Sequence, residues 1–249
     1  MSGWPEGVGR VVLEEIDSTN AEAARRAAAG APGPEWIMAR RQTAGRGRQG
    51  KPWVAPEGNL NATLLVRPHC ETRRAAQLSF AACLAVADLF AEAAPTADIR
   101  LKWPNDALIN GRKAAGVLLE SAGRGLVPDW MAIGIGINLV AVPEGALPGC
   151  VPATSLVAEG GRPLTPEQAL DRLAPRFEHW RTAHAVDGFQ ALRAAWLARA
   201  TGLGQRIEAR LPDRVVHGIY EDVDADGNLV LNGPTGRQRI SAADLVIPG

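Results

Sequence analysis

Apolar positions alternate with polar ones early in the chain, recur at helical spacing in its middle and return to short alternating runs at its end. Gly9–Ile16 (GRVVLEEI) reads as a strand. The DSTN that follows opens a helix, with Thr19 and Glu22 spaced as a capping box and Gly30 and Pro32 as the stop. Glu35–Gln42 and residues 59–68 read as two more strands around a loop of Gly, Arg and Lys too polar for a core. Over residues 71–94, Leu78, Ala81, Ala82, Ala85 and Leu89 fall at helical spacing, and Pro95 ends one long helix.

Residues 99–109 and 113–120 read as two strands joined by the turn pair Asn110-Gly111. A two-residue turn sets Ile109 opposite Arg112, Leu108 opposite Lys113, Asp106 opposite Ala115 and Lys102 opposite Leu119, so that Lys102, Asp106 and Lys113 project together. Pro104 cannot donate to a ladder and predicts an edge or a bulge nearby. Residues 129–140 are a mostly apolar strand of the doubly buried kind, ending at Asn138, and 141–153 are a Pro- and Gly-rich loop. Thr165, Pro166 and Gln168 start a helix running to about residue 185, and a second spans 188–200. After Gly202 and Gly204 come short strands with turns at Pro212, at 224–228 and at 233–236. This pattern divides the chain at 1–202 and 203–249.

Composition narrows the class. The chain has 249 residues, 46% hydrophobic and 22% charged, which excludes collagen-like, disulfide-scaffold and wholly disordered proteins. Lys plus Arg (27) equals Asp plus Glu (27), so there is no general basic excess and any phosphate recognition is local. Cys70, Cys83 and Cys150 form no CxxC pair and no His-Cys cluster, which points away from a zinc site and toward a reducing cytoplasm. The first ten residues lack the features of a signal peptide, and the longest apolar stretch, 80–94, is broken by Asp88 and Glu92. Neither secretion nor a membrane span is expected.

Two stretches carry candidate chemistry. Over residues 40–51, Arg40, Arg41, Arg46, Arg48 and Lys51 stand without one acid, interleaved with Gly45, Gly47 and Gly50. Guanidinium forks grip carboxylate or phosphate, and glycine lets backbone approach closely, so the loop suits an anion and is expected to order around it. A solvated connector, or an arginine-glycine contact to nucleic acid with Trp53 as its stacking aromatic, fits the same residues. The spacing is neither a Walker A motif nor a dinucleotide fingerprint. KWPND at 102–106, followed by Lys113, sets two lysines beside an aspartate, able to hold phosphate directly and through Mg²⁺; an ordinary surface ion pair is the plainer alternative. Ser18 and Thr19 serve equally well as helix caps, and Trp53 and Trp103 as packing residues. His69, His179, His184 and His217 have no partner in sequence, and Asp224 to Asn228 suit a hairpin turn better than a calcium loop.

Six motifs then occur in one order: DSTN at 17–20, QTAGRGRQG at 42–50, WVAPEGNL at 53–60, KWPND at 102–106, GRKAAGVLLE at 111–120 and GIGIN at 134–138. Over residues 9–155 the chain strongly resembles the biotin protein ligases. The resemblance implies an α/β (α+β) fold: a catalytic sheet domain like that of class II aminoacyl-tRNA synthetases, followed by a small SH3-like β-barrel. It implies a cytoplasmic enzyme that joins biotin and ATP, with Mg²⁺, into biotinyl-5′-AMP. That enzyme then modifies a lysine of the biotin carboxyl carrier domain of a carboxylase, as a monomer or a homodimer. It assigns biotin to Ser18, Thr19, Asn20, Gln42, Gly45, Arg46, Gly47, Arg48, Lys113 and Gly116. It assigns ATP to Arg46, Arg48, Trp53, Lys102, Asn105, Asp106, Lys113 and Asn138, with Asp106 also on Mg²⁺. Attack of a carboxylate on a phosphate brings two anions together, so Arg48 and Lys113 are the expected catalytic cations. Ala55 and Asn61 depart from the Ser and Tyr frequent in the family. Only 16 residues precede DSTN, so the operator-binding domain of some members, and specific DNA binding, are not expected. A lipoate or octanoate ligase or transferase is the rival within the superfamily, opposed by the acid-free arginine loop and KWPND. An RNA-binding module is opposed by the zero net charge.

Overall fold

The structure, a computed structural model, describes residues 3–142, 151–234 and 236–247. Its elements are β1 (Gly9–Ile16), α1 (Thr19–Ala28), β2 (Glu35–Gln42), β3 (Leu60–Val66), α2 (Thr72–Ala76), α3 (Leu78–Ala93), β4 (Ile99–Lys102), β5 (Asp106–Ile109), β6 (Arg112–Ala122) and β7 (Trp130–Ile137). Helices α4 (Pro166–Asp187) and α5 (Phe189–Leu197) follow, then β8 (Arg206–Arg210), β9 (Val215–Val223), β10 (Leu229–Gly233), β11 (Gly236–Ile240) and β12 (Asp244–Val246). Strands β1 to β7 form one sheet in the order β1-β2-β3-β7-β6-β5-β4, and β8 to β12 form a second in the order β11-β10-β9-β8-β12.

Period-two alternation sorts the large sheet into two faces. Trp36, Met38, Leu60, Ala62, Leu64, Ala115, Val117, Ile133, Ile135 and Ile137 point to one side and form the main core with α3 and α4. Helix α3 is apolar all round because it is enclosed on nearly every side. The stretch 72–93 has the length and hydropathy of a membrane span, but 72% of that window is buried within the molecule, as in a core helix. The opposite face carries Ile37, Leu65 and Ala132 under α1, then glycines and polar residues. Strand β7 is buried on both faces, as its composition suggested, with small residues on the side that α1 covers.

Four local expectations are corrected. The strand expected at 99–109 turns back on itself at Trp103-Pro104-Asn105 to give β4 and β5, so Lys102 pairs with Asp106 rather than Leu119. A bulge between Ala107 and Leu108 moves Asp106 opposite Gly116 instead of Ala115, while Ile109 and Leu108 keep the predicted partners. Helix 71–94 is two helices that meet at Gln77, whose buried amide donates to Ala225 O. Ser18, not Thr19, is the α1 N-cap residue, no side chain caps that end, and Glu22 pairs with Arg25 and Arg26. The capping box that does form is Thr165 with Gln168, at α4.

In the C-terminal sheet, Tyr220, Val223, Leu229, Leu231 and Leu245 are buried in a core continuous with that of the large sheet. Trp103 Nε1 donates to Gly227 O at 3.0 Å across this junction, which bears out its reading as a packing residue. The Asp224 carboxylate accepts from the backbone N–H of Asp226 and Asn228, closing a hairpin turn as expected. Residues 143–150, with Cys150, lie outside the described residues.

Candidate active site

Directly opposed residues put two rows on the face that α1 and Trp53 pack against. One runs Asn61, Gly136, Gly116, Asp106, Lys102, and the other Thr63, Gly134, Leu118. The glycines there make room for neighbours. A Cβ on Gly134 would lie 2.2 Å from Asn20 Oδ1, and one on Gly136 would lie 2.3 Å from the Trp53 ring. Gly116 is looser, its Cβ position 3.4 Å from Lys113 Nζ and 3.5 Å from the Trp53 ring. Trp53 thus lies flat across a glycine bed.

One end of the face is a neutral hydrogen-bonding network built on the start of α1. Gln42 Oε1 accepts from the Thr19 backbone N–H (2.8 Å) and from Thr19 Oγ1 (3.1 Å), and Gln42 Nε2 donates to Asn61 Oδ1 at 3.2 Å. Thr63 Oγ1 lies 2.8 Å from Thr19 Oγ1 and 2.6 Å from Asn20 Oδ1, with its one proton to share between them. Asn20 Nδ2 donates to Glu120 Oε2 at 2.8 Å. Ser18, Thr19, Asn20, Asn61 and Thr63 are all at most 4% exposed. Each such bond contributes about 1 kcal/mol net, and orphaning a buried partner costs about 1–3 kcal/mol. Two donors here, Asn61 Nδ2 and Trp53 Nε1, are buried without a partner among the described residues. Ser18 and Thr19 do not cap the helix with their side chains, which removes the purely capping reading. Asp17 beneath them is gripped by Arg25, which holds its carboxyl down at about 2.

The other end is cationic. The loop after β2 is a tight hairpin, with Trp53 N–H donating to Gly45 O and Gly47 N–H to Lys51 O, around a 3-10 turn at Arg48–Gly50. Arg46 Nη2 lies 3.2 Å from Glu120 Oε2, and Arg48 Nη1 donates to Asn105 Oδ1 at 3.3 Å. Lys51 Nζ lies 2.6 Å from Asp244 Oδ2 of β12. Lys113 Nζ lies 2.6 Å from Asp106 Oδ1 and 5.8 Å from the centre of the Trp53 ring. Burial pushes the Arg48 guanidinium below its ordinary value, while the charges of Asp244 and Asp106 pull it back up. Arg48 and Lys113 thus engage adjacent residues of one turn, Asn105 and Asp106, with buried Lys102 opposite Asp106 on β4.

Other candidates sit elsewhere. Arg40 pairs with Glu14 and Glu167, and Arg41 with Glu15, so two of the five loop charges face away from this cleft. Asn138 Nδ2 donates to Thr154 O, and its backbone joins Ala114 and Leu156. It braces the segment that pairs with Lys113 through Pro152 and Thr154. Among the described residues no three His, Cys, Asp or Glu side chains gather to hold a metal ion; Asp106 is a single carboxylate, engaged by Lys113. Sequence reasoning did not assign Thr63, Glu120 or Asp244. Alternation from Asn61 signals Thr63, and Glu120 closes a motif already quoted, whereas nothing local marks Asp244.

Neutral donors and acceptors at one end of a glycine-lined sheet face and cations at the other form a site suited to a polar ligand that carries negative charge. The chain belongs to the biotin/lipoate A/B protein ligase family, whose profile matches residues 12–138, and the biotin protein ligase C terminal domain matches residues 202–247. It is 48% identical over 241 residues to the biotin–[acetyl-CoA-carboxylase] ligase of Paracoccus denitrificans, covering 96% of this chain and 100% of that one. To the enzyme so named from Mycobacterium tuberculosis it is 35% identical over 252 residues, covering 98% and 90%. The fold is that of the Aquifex aeolicus biotin protein ligase in complex with biotin and ATP (TM-score 0.78, 24% identity, 96% and 97% covered). The Leishmania major enzyme in complex with biotinyl-5-AMP is similar too (TM-score 0.64, 23% identity, 96% and 100% covered).

Proposed function

We infer that this chain is an ATP-dependent biotin protein ligase. A biotin carboxylate oxygen attacks the α-phosphorus of ATP, the bond to pyrophosphate breaks, and biotinyl-5′-AMP forms. The ε-amine of an acceptor lysine then attacks the activated carbonyl carbon, AMP leaves, and the amine gives up a proton. The observation that carries this reading is the placing of Arg48 on Asn105 and of Lys113 on the adjacent Asp106, beside the same glycine-lined strands as the Thr19–Gln42–Asn61 network.

Ser18, Thr19, Asn20 and Gln42 are assigned to the vitamin's ureido ring, whose one carbonyl and two N–H groups suit a network of mixed donors and acceptors. Asn61 Nδ2 and Trp53 Nε1 are donors left for ligand. Gly45, Arg46, Gly47 and Arg48 cover biotin and the adenylate, and Gly116 gives room for Lys113 and Trp53 beside them. Lys113, Arg48, Arg46 and Lys102 offset the repulsion between carboxylate and phosphate, with Asn105 holding Arg48. Mg²⁺ enters as part of the MgATP substrate, and Asp106 is the carboxylate that would contribute to holding it. Asn138 acts by bracing the Lys113 segment.

The acceptor is the biotin carboxyl carrier domain of a carboxylase, acetyl-CoA carboxylase by the names of the relatives. The chain divides functionally at 1–202 and 203–249. The free thiols Cys70 and Cys83 fit a cytoplasmic setting. Incubation with biotin, MgATP and a biotin carrier domain, followed by mass analysis, is the test. Addition of one biotinyl group supports the reading, and transfer of lipoate but not biotin overturns it.

A further inference from the structure

Three carboxylates hold cations of the cleft: Glu120 holds Arg46, Asp106 holds Lys113 and Asp244 holds Lys51. Glu120 and Asp106 stand on the large sheet, but Asp244 reaches in from β12 of the C-terminal sheet. Both members of the Lys51–Asp244 pair are about half exposed, at 48% and 47%. Partial burial opposes ionisation of Asp244, yet Lys51, with Arg48 and Lys102 behind it, outweighs that effect and holds its carboxyl below the ordinary range. Arg210, directly opposite Asp244 on β8, turns to Glu208 instead. The carboxylate is therefore oriented toward the cleft, not toward the cation of its own sheet.

We propose that Asp244 is a displaceable counter-anion of the nucleotide site, held against Lys51 in the free enzyme and replaced there by the triphosphate of MgATP. This rests on the ligase reading above, because Arg48 and Lys102 are assigned to the nucleotide. An exposed ion pair is weak enough to exchange readily, and a polyphosphate carries several charges where Asp244 carries one. While in place, Asp244 keeps three cations from repelling one another and tethers the Arg48–Gly50 turn to the C-terminal sheet. It also competes with ATP. It is a positioning residue, acting through Lys51 and Arg48.

Biotin-dependent exchange of pyrophosphate into ATP, at low salt, reads this out in the full chain. Asp244→Asn lowers the KM for MgATP about two- to fivefold, the weight of an exposed pair, with kcat and the KM for biotin moving less. Asp244→Glu stays near the parent, and added salt shrinks the difference between the Asn variant and the parent. Trypsin gives a second readout: without nucleotide, Asp244→Asn is cut faster after Arg46 and Arg48, and MgATP restores protection. A KM for MgATP that is unchanged or raised in a folded Asp244→Asn protein overturns the proposal. Equal cleavage of variant and parent overturns it as well. A parent enzyme with no biotin-dependent exchange defeats the ligase reading instead, and the trypsin comparison, which needs no biotin, still decides whether Asp244 tethers the loop.

Discussion

Asn20 Oδ1 occupies the space that a side chain on Gly134 would fill, 2.2 Å from the Cβ position. Helix α1 can seat on β7 only because the sheet is bare there. Gly134→Ala must therefore push Asn20 away, breaking its contacts with Thr63 and Glu120. Overpacking of this kind costs about 1–3 kcal/mol. The KM for biotin is expected to rise about tenfold or more, since each 1.4 kcal/mol is about a factor of ten, with the KM for MgATP little changed. Steady-state exchange kinetics check this, and an unaltered KM for biotin would show that the Asn20 end does not hold the vitamin.

Lys113 and Asp106 test the cationic end. Removing one preorganised group that meets developing negative charge typically slows the chemical step about 10²–10³-fold. Lys113→Ala is expected to lose adenylate formation by that order in single-turnover assays. Asp106→Asn, which leaves the ammonium present but unaimed, loses about tenfold. A Lys113→Ala enzyme that forms biotinyl-adenylate at the parent rate would remove the lysine from the mechanism.

Trp53 offers a test that separates function from stability. Its Nε1 is a buried donor without a partner among the described residues, while its ring covers Gly136. Trp53→Phe deletes the orphan donor together with the indole atoms nearest Gly136, so the melting temperature is expected to fall modestly. If that N–H is kept for ligand, the KM for MgATP or biotin rises several-fold in the same protein. A fall in melting temperature with unchanged kinetics would make Trp53 a packing residue only.

Much of this was legible in the sequence, and for local reasons. Strands β1 and β2 fall on the predicted residues, because their alternation and flanking breakers are short-range signals. The order of the motifs carried the family, and KWPND with Lys113 did converge as expected. What failed needed information from further away. One extra residue on β6, Ala114, opposite the step from Ala107 to Leu108 shifts Asp106 by one position, which pairing arithmetic from a turn does not reveal. Thr19 matched a capping box in spacing, but buried partners on β2 and β3 claim its hydroxyl. Arg40 and Arg41 looked like part of the cationic loop, yet they are strand residues whose acids come from β1 and α4. Asp244 belongs to a strand that the pattern did not predict, and only the meeting of two sheets brings it to Lys51.

His184 makes stability depend on pH. It is buried at the end of α4, its Nε2 2.9 Å from Gln77 Oε1, and Gln77 in turn donates to Ala225 O in the C-terminal sheet. Burial, and then the nearby charge of Arg74, push its pKa below the ordinary value of 6.5. The unfolded chain thus takes up a proton on this ring at a higher pH than the folded one. The contribution to stability is complete above 6.5 and falls as the pH drops from there toward the folded-state value, with a slope of at most about 1.4 kcal/mol per pH unit. The lowered carboxyls of Asp17, Glu92, Glu159, Asp224 and Asp244 lose their contributions from their ordinary values of 3.8 and 4.5 downward, so the first weakening below 6.5 belongs to the ring. Denaturant unfolding at a series of pH values should show the parent weakening below 6.5 while His184→Gln stays flatter. Parallel profiles for the two proteins would mean that the ring takes up its proton equally well when folded, and that the junction of α3, α4 and the C-terminal sheet is not where acid acts.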